Sequence, residues 1–231
     1  MKISIVVPCY NEQHTIALVI EALEHLDLDT EIIVVDDGST DESRAILASR
    51  QHAPNVRIEL MPQNGGKGTA LRRGFEVATG DIIVIQDSDL ELSPSNIVNL
   101  IRPIETGEAD VVYGSRFLMG ARKTKRLRRL ANWFLTELTN AIFHTDLTDM
   151  ETAHKAMRAS ILKKIPLESK AFDIEVELTA KLARSGARMM EVASLYTPRS
   201  IDEGKKITFS DGIDAVKRIL YWAKWRPEEN A

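Results

Sequence analysis

Apolar and polar positions change rhythm several times along the first half of the chain. Residues 2–8 form a short β-branched run that reads as a buried strand. Beyond it Ile16, Val19, Ile20, Leu23 and Leu26 recur at helical spacing, with Asn11 placed to cap them. Residues 31–35 are a second strand, and Ser39 or Thr40 then opens a helix through Leu47. Residues 56–61 are a third strand, 65–79 a loop running into a helix, and 81–86 a fourth strand. Ser93 and Pro94 read as an N-cap followed by proline at the first helical position, and residues 111–114 as a fifth strand. Past this point the rhythm is less regular. Helices are expected over 127–143, with Leu130, Phe134, Leu138 and Ile142 on one stripe, and over 174–185 and 210–224. Residues 189–196 read as a late strand.

Strands alternating with helices imply an α/β fold, a mainly parallel sheet with helices on both faces. Ligands of such sheets bind beyond the carboxyl ends of the strands. That rule singles out residues 10–12, 36–39, 64–68 and 87–91, each of which follows an expected strand.

Composition narrows the picture. The 231 residues are 44% hydrophobic and 28% charged, ordinary for a globular chain. With a net charge of −4, affinity for anions must come from local patches. A single cysteine, Cys9, excludes an internal disulfide framework and fits a reducing compartment. It reads as a small buried hydrophobe rather than a nucleophile. No apolar stretch approaches the ~20 residues of a membrane span, and the start lacks a secretory pattern. A cytoplasmic protein, peripheral on the membrane face at most, is expected. No linker or repeat divides the chain, so residues 1–231 read as one domain.

Asp87, Asp89 and Glu91 stand at alternate positions just past an apolar strand. Carboxylates this close raise one another's pKa unless a cation compensates. Their oxygens suit a hard divalent ion, Mg²⁺ or Mn²⁺, which would bridge a diphosphate and neutralise it as it leaves. A solvated acidic loop is the plain alternative.

Ordered blocks then sharpen the reading. Val6-Val7-Pro8-Cys9-Tyr10-Asn11-Glu12, Val34-Val35-Asp36-Asp37-Gly38-Ser39, Asn64-Gly65-Gly66-Lys67-Gly68, Gly80-Asp81 and Asp87-Ser88-Asp89-Leu90 resemble the family 2 glycosyltransferases of the GT-A, Rossmann-like fold. The order and spacing are most similar to dolichyl- or polyprenyl-phosphate hexosyltransferases, as are Gly114-Ser115-Arg116, Asp149, Phe172-Asp173 with Glu175, and Arg199 with Gly204-Lys205-Lys206. The resemblance implies that Pro8, Tyr10 and Glu12 line the base and ribose, that Asp37 bonds the base, and that Lys67 sits near the nucleotide or its phosphates. It implies that Asp89 and Glu91 carry the metal with Asp87 lining the same site, and that Arg199 contacts phosphate across the closed site. Residues 1–115 would be the nucleotide-sugar half and 116–231 the acceptor side. Ser88 departs from the alanine common in relatives, and the C-terminal membrane segment of some relatives has no counterpart.

A hydroxyl acceptor needs a general base, whereas a phosphate acceptor is already an anionic nucleophile that needs positive charge to hold it in line. Arg116, Arg122, Lys123, Lys125, Arg126, Arg128 and Arg129 form one basic cluster, and Arg199, Lys205 and Lys206 a second. Arg116, Arg129, Lys205 and Lys206 are the candidates for the acceptor phosphate. Aromatics are not interleaved with these charges as nucleic-acid stacking would need. Leu127, Leu130, Trp133 and Phe134 follow at once, the pairing of basic and apolar positions that an interfacial helix uses, and Tyr221, Trp222 and Trp225 offer a second contact. Asp149 is the candidate for orienting the acceptor or acting as base, with a helix cap as its plain reading. The expected reaction is inverting transfer of a hexose from GDP-mannose or UDP-glucose to a polyprenyl or dolichyl phosphate. A transferase acting on a saccharide or small-molecule hydroxyl, and a non-catalytic nucleotide-sugar-binding subunit, stay open, as does oligomeric state.

Overall fold

The computed structural model describes residues 1–50, 53–119, 126–198 and 209–227. Its centre is built from the β-branched runs. Strands β1 (Ile3–Cys9), β2 (Thr30–Asp36), β4 (Ile82–Ile85) and β5 (Val111–Ser115) are buried almost throughout, as strands covered on both faces must be. With β3 (Val56–Leu60), β6 (Lys155–Arg158) and β7 (Met189–Ala193) they form one seven-stranded sheet in the order β3-β2-β1-β4-β6-β5-β7. β1 pairs in parallel with both β2 and β4, and β5 in parallel with β7. β6 alone runs antiparallel, wedged between β4 and β5. The carboxyl ends of the other six strands therefore open on one edge.

Helices cover both faces. α1 (Ile16–Glu24), α2 (Ser43–Arg50) and α4 (Ile97–Glu105) pack on one. α3 (Lys67–Val77), α5 (Arg126–Phe143), α6 (Ala159–Leu162), α7 (Ile174–Arg184) and α8 (Phe209–Trp222) pack on the other. The chain folds in the α/β class that its pattern implies.

Several local expectations are corrected. Thr15, not Asn11, stands at the cap of α1, and Asn11 lies in the turn at φ 56° with its side-chain oxygen accepting the Thr40 N–H at 2.8 Å. α2 begins at Ser43, because Ser39 is held by Asp36 and Asn11 instead. Pro94 opens a short 3₁₀ turn (Pro94–Asn96) that leads into α4, and Ser93 makes no side-chain cap. On α5 the buried face is Leu135, Thr136, Thr139 and Phe143, so Leu130 and Phe134 of the expected stripe lie outside. Trp222 is not a surface contact: it is buried against α7, where the Lys181 ammonium lies 4.1 Å from its ring centroid.

Candidate active site

The loop after β2 shapes one wall. Asp36 is buried, paired with Arg44 at 2.7 Å, and accepts the Ser39 N–H, so it braces the turn. Asp37, also buried, accepts the N–H groups of Gly65 and Gly66 at 2.8 Å each. Burial raises its pKa, those two bonds oppose the rise, and Asp36 adds to it. Gly38 sits at φ 74°, where a Cβ would lie 2.5 Å from the Asn64 nitrogen. Gly66, at φ 90°, passes so close to the Lys170 carbonyl that a Cβ would stand 2.4 Å from it. The glycines at 65–68 are thus a packed joint between two loops and the start of α3.

Lys67, the first residue of α3, reaches Asp87 Oδ1 at 2.8 Å and Glu175 Oε1 at 3.2 Å. Burial would lower its pKa, but the charges of Asp87 and Glu175 more than reverse this and hold it cationic. Glu175 also pairs with the buried Lys155 of β6. His154 beside it is buried with both ring nitrogens unpartnered. Burial drops its pKa to about 4 against the opposing pull of Asp87, so the ring is neutral.

The acidic turn is pinned at both ends. Ser88 donates to the Pro8 carbonyl at 2.9 Å, joining it to β1. Asp89 accepts the Glu91 N–H at 3.0 Å across Leu90, which sits at φ 58°. Tyr196 donates its hydroxyl to Glu91 Oε2 at 3.1 Å, and the Thr197 N–H bonds the Glu91 carbonyl. Among the described residues no three histidine, cysteine, aspartate or glutamate side chains are gathered as a metal site. The three-carboxylate set of Asp87, Asp89 and Glu91 is therefore not assembled as a cage. Asp87 faces Lys67, and Glu91 faces Tyr196. A magnesium-like ion needs only one or two protein carboxylates when substrate phosphates complete its shell, and Asp89 with a neighbour fits that donor set.

Past the end of β5, Arg116 is gripped by Asp149. Its Nε and Nη2 donate to the two carboxylate oxygens at 2.7 Å each, and its backbone N–H adds a third bond at 3.0 Å. Asp149 is fully buried and does not cap a helix. Both its oxygens are engaged, so taking a proton would break the pair. The guanidinium lies 5.5 Å from the centroid of Tyr196 and 5.8 Å from that of Phe117, over which Arg129 also lies, at 5.9 Å. Arg116 stays charged because Asp149 outweighs the effect of burial. Tyr10 is exposed at the end of β1, Pro8 is buried, and Glu12 accepts the Thr15 hydroxyl at 2.8 Å. Burial, then Asp36, Glu12 and Asp41, push the Cys9 thiol up to about 12, which leaves it inert. Expectations for Arg122, Lys123, Lys125, Arg199, Gly204, Lys205 and Lys206 lie outside the described residues, as do those for the side chains of Arg126 and Arg128.

A family model described as glycosyl transferase family 2 matches residues 4–166, well over half of the chain. The chain belongs to that family. This family 2 member is 29% identical to the undecaprenyl-phosphate mannosyltransferase of Micrococcus luteus, over 97% of its own length and 96% of the relative's. It is 26% identical to the polyprenol monophosphomannose synthase of Mycolicibacterium smegmatis, over 94% of its length and 85% of that protein's. Among solved structures it resembles glucosyl-3-phosphoglycerate synthase from Mycobacterium tuberculosis, crystallised with Mn²⁺, UDP and phosphoglyceric acid. The TM-score is 0.73 at 24% identity, covering 99% of this chain and 80% of the other. The fold of the family 2 member is thus GT-A. Lys155, His154, Glu151 and Tyr196 escaped the sequence reading. Lys155 and His154 stand in or beside a strand that carries no β-branched run, and Tyr196 looked like the end of one.

Proposed function

We propose that this chain is an inverting hexosyltransferase that moves a sugar from GDP-mannose or UDP-glucose to a polyprenyl or dolichyl phosphate, with Mg²⁺ or Mn²⁺ bound. The observation that carries the reading is Arg116, fixed by a buried carboxylate and lying over Tyr196, whose hydroxyl bonds Glu91 of the acidic turn. It gives the acceptor side a preorganised cation. Similarity to two lipid-phosphate mannosyltransferases over nearly the whole chain supports the same choice.

On this reading Pro8, Tyr10, Glu12 and Asp37 surround the nucleotide, and Asp37 holds the glycine joint that shapes its wall. Asp89, with Asp87 or Glu91, would hold the divalent ion, which when bound offsets the charge of the departing diphosphate. Lys67 supplies positive charge beside the phosphates and pairs with Asp87. Arg116 and Arg129, with Arg199, Lys205 and Lys206, hold the acceptor phosphate. Its oxygen attacks the anomeric carbon from the face opposite the diphosphate. Asp149 orients Arg116 rather than accepting a proton.

The membrane is met at one surface. No helix among the described residues is long and apolar enough to cross a bilayer. Leu130, Trp133 and Phe134 are 58%, 56% and 53% exposed on one face of α5, next to Arg129. Apolar and aromatic groups beside basic ones suit the surface of an anionic membrane.

Labelled donor, Mn²⁺ and a polyprenyl phosphate incubated with the protein, then extracted with organic solvent, test this reading. Label in the organic phase is expected. Label confined to water-soluble products would move the acceptor to a hydroxyl. Nucleotide binding with no turnover on any acceptor would leave a non-catalytic subunit.

A further inference from the structure

One carboxyl oxygen on the turn before β6 is left without a partner. Glu151 lies two residues past Asp149, on the turn before β6. Its Oε1 is shut off from solvent and has no hydrogen-bond partner, and no ion pair involves the residue among the described ones. A buried acceptor left unsatisfied is costly, which favours either a proton on the group or a ligand that completes it. The charges that act on it are those of Glu175 on α7, Lys155 on β6, Arg116 after β5 and Asp149 on its own turn. Its turn is tied to two ion pairs: the Met150 and Thr152 carbonyls accept from Lys155, which pairs with Glu175, and Asp149 holds Arg116.

We propose that Glu151 and the acceptor phosphate share a single proton, so that Glu151 admits the phosphate and holds its proton during transfer. The inference rests on the phosphate-acceptor reading above. Burial and then the Glu175 charge push the Glu151 carboxyl up to about 7, Asp149 adds to the push, and Lys155 and Arg116 pull it down. A phosphate monoester loses its second proton near pH ~6. Two acids so closely matched and so close together keep one proton between them, because two negative charges in contact repel and two protons leave the nucleophile blunted. In the complex the phosphate is the dianion and Glu151 the neutral acid, donating a hydrogen bond to a phosphate oxygen. Another phosphate oxygen forms the bond to the anomeric carbon. The bond from that carbon to the diphosphate oxygen breaks, and the electron pair leaves with the diphosphate. The phosphodiester product has no comparable basic site, so the proton stays on Glu151 and passes to solvent as the product departs.

The test compares kcat/KM for a short-chain isoprenyl phosphate against pH in the wild-type protein and in Glu151→Gln, whose amide donates at every pH. The wild type is expected to fall about tenfold per pH unit on its alkaline limb, where both groups are ionised. In Glu151→Gln that limb should vanish. Should the variant not fold, calorimetry of the wild type decides in buffers of different ionisation enthalpy. Binding of the isoprenyl phosphate at pH 8 should take up about one proton. Superimposable alkaline limbs in a folded variant, or uptake near zero, overturn the proposal while leaving sugar transfer intact. A wild-type protein that transfers sugar to no phosphate at any pH overturns the functional reading itself, and this inference with it.

Discussion

Asp89 and Arg116 carry opposite charge and are fixed in different ways. Asp89 sits in a turn outside the strands and helices and accepts the Glu91 N–H, so Asp89→Ala should remove the ion's main ligand with little harm to the fold. Turnover is expected to fall more than about 100-fold while the thermal midpoint barely moves; unchanged turnover in a folded variant would dismiss the ligand role. Arg116 differs, because its partner is buried. Arg116→Ala leaves Asp149 an uncompensated charge, and breaking such a pair costs about 3–5 kcal/mol, measurable by urea unfolding. Gly38→Ala should destabilise too, by roughly 1–3 kcal/mol, since the residue needs φ 74° and has the Asn64 nitrogen against it. The acidic turn and the glycines were legible because turn and ligand chemistry restrict residue type locally. The partners of Lys67 and Lys155 were not, since ion pairs that join α3 and β6 to α7 leave no trace in spacing.

At the scale of elements, every strand but β6 could be read from sequence, β1, β2, β4 and β5 because they are β-branched runs buried on both faces. β6 is the instructive omission. Lys155-Ala156-Met157-Arg158 has two cations and no β-branched residue, yet it fills the gap between β4 and β5 because Glu175 and Asp110 neutralise those cations. α5 teaches a related point. Its apolar residues were assigned to one stripe, but Thr136 and Thr139 take buried places by bonding the Met150 N–H and the Leu135 carbonyl, which turns Leu130, Trp133 and Phe134 outward. If that face meets lipid, Trp133→Asp with Phe134→Asp should weaken co-sedimentation with anionic vesicles at least about tenfold, without changing nucleotide affinity. Vesicle binding equal to wild type would assign the face to another contact.

For the molecule as a whole, the sheet divides labour between its two edges. The carboxyl edge gathers the charged groups of the site. The opposite edge is tied by Glu31, which accepts from Ser4, from Lys2 at 3.0 Å and from the Thr79 N–H at 2.6 Å. Burial alone would raise the Glu31 pKa, but these bonds, led by Ser4, hold it down at about 2, below the unfolded value of 4.5. The stabilisation is therefore complete above pH ~4.5 and is lost as pH falls toward ~2. Glu31→Gln should be roughly 2 kcal/mol less stable than wild type at pH 7, after allowance for solvent screening, with the gap closing between pH 5 and 2 in urea titrations. A constant gap across that range would mean Glu31 acts by shape rather than charge.

The central claim is that a divalent ion and a nucleoside diphosphate meet at the carboxyl edge of this sheet. Crystals grown with Mn²⁺ and GDP or UDP, measured at the manganese absorption edge, address it most directly. The account predicts an anomalous peak within bonding distance of Asp89 and of the diphosphate oxygens, with Arg116 facing them across an open mouth. Nucleotide bound elsewhere, or bound there with no manganese at Asp89, would contradict it.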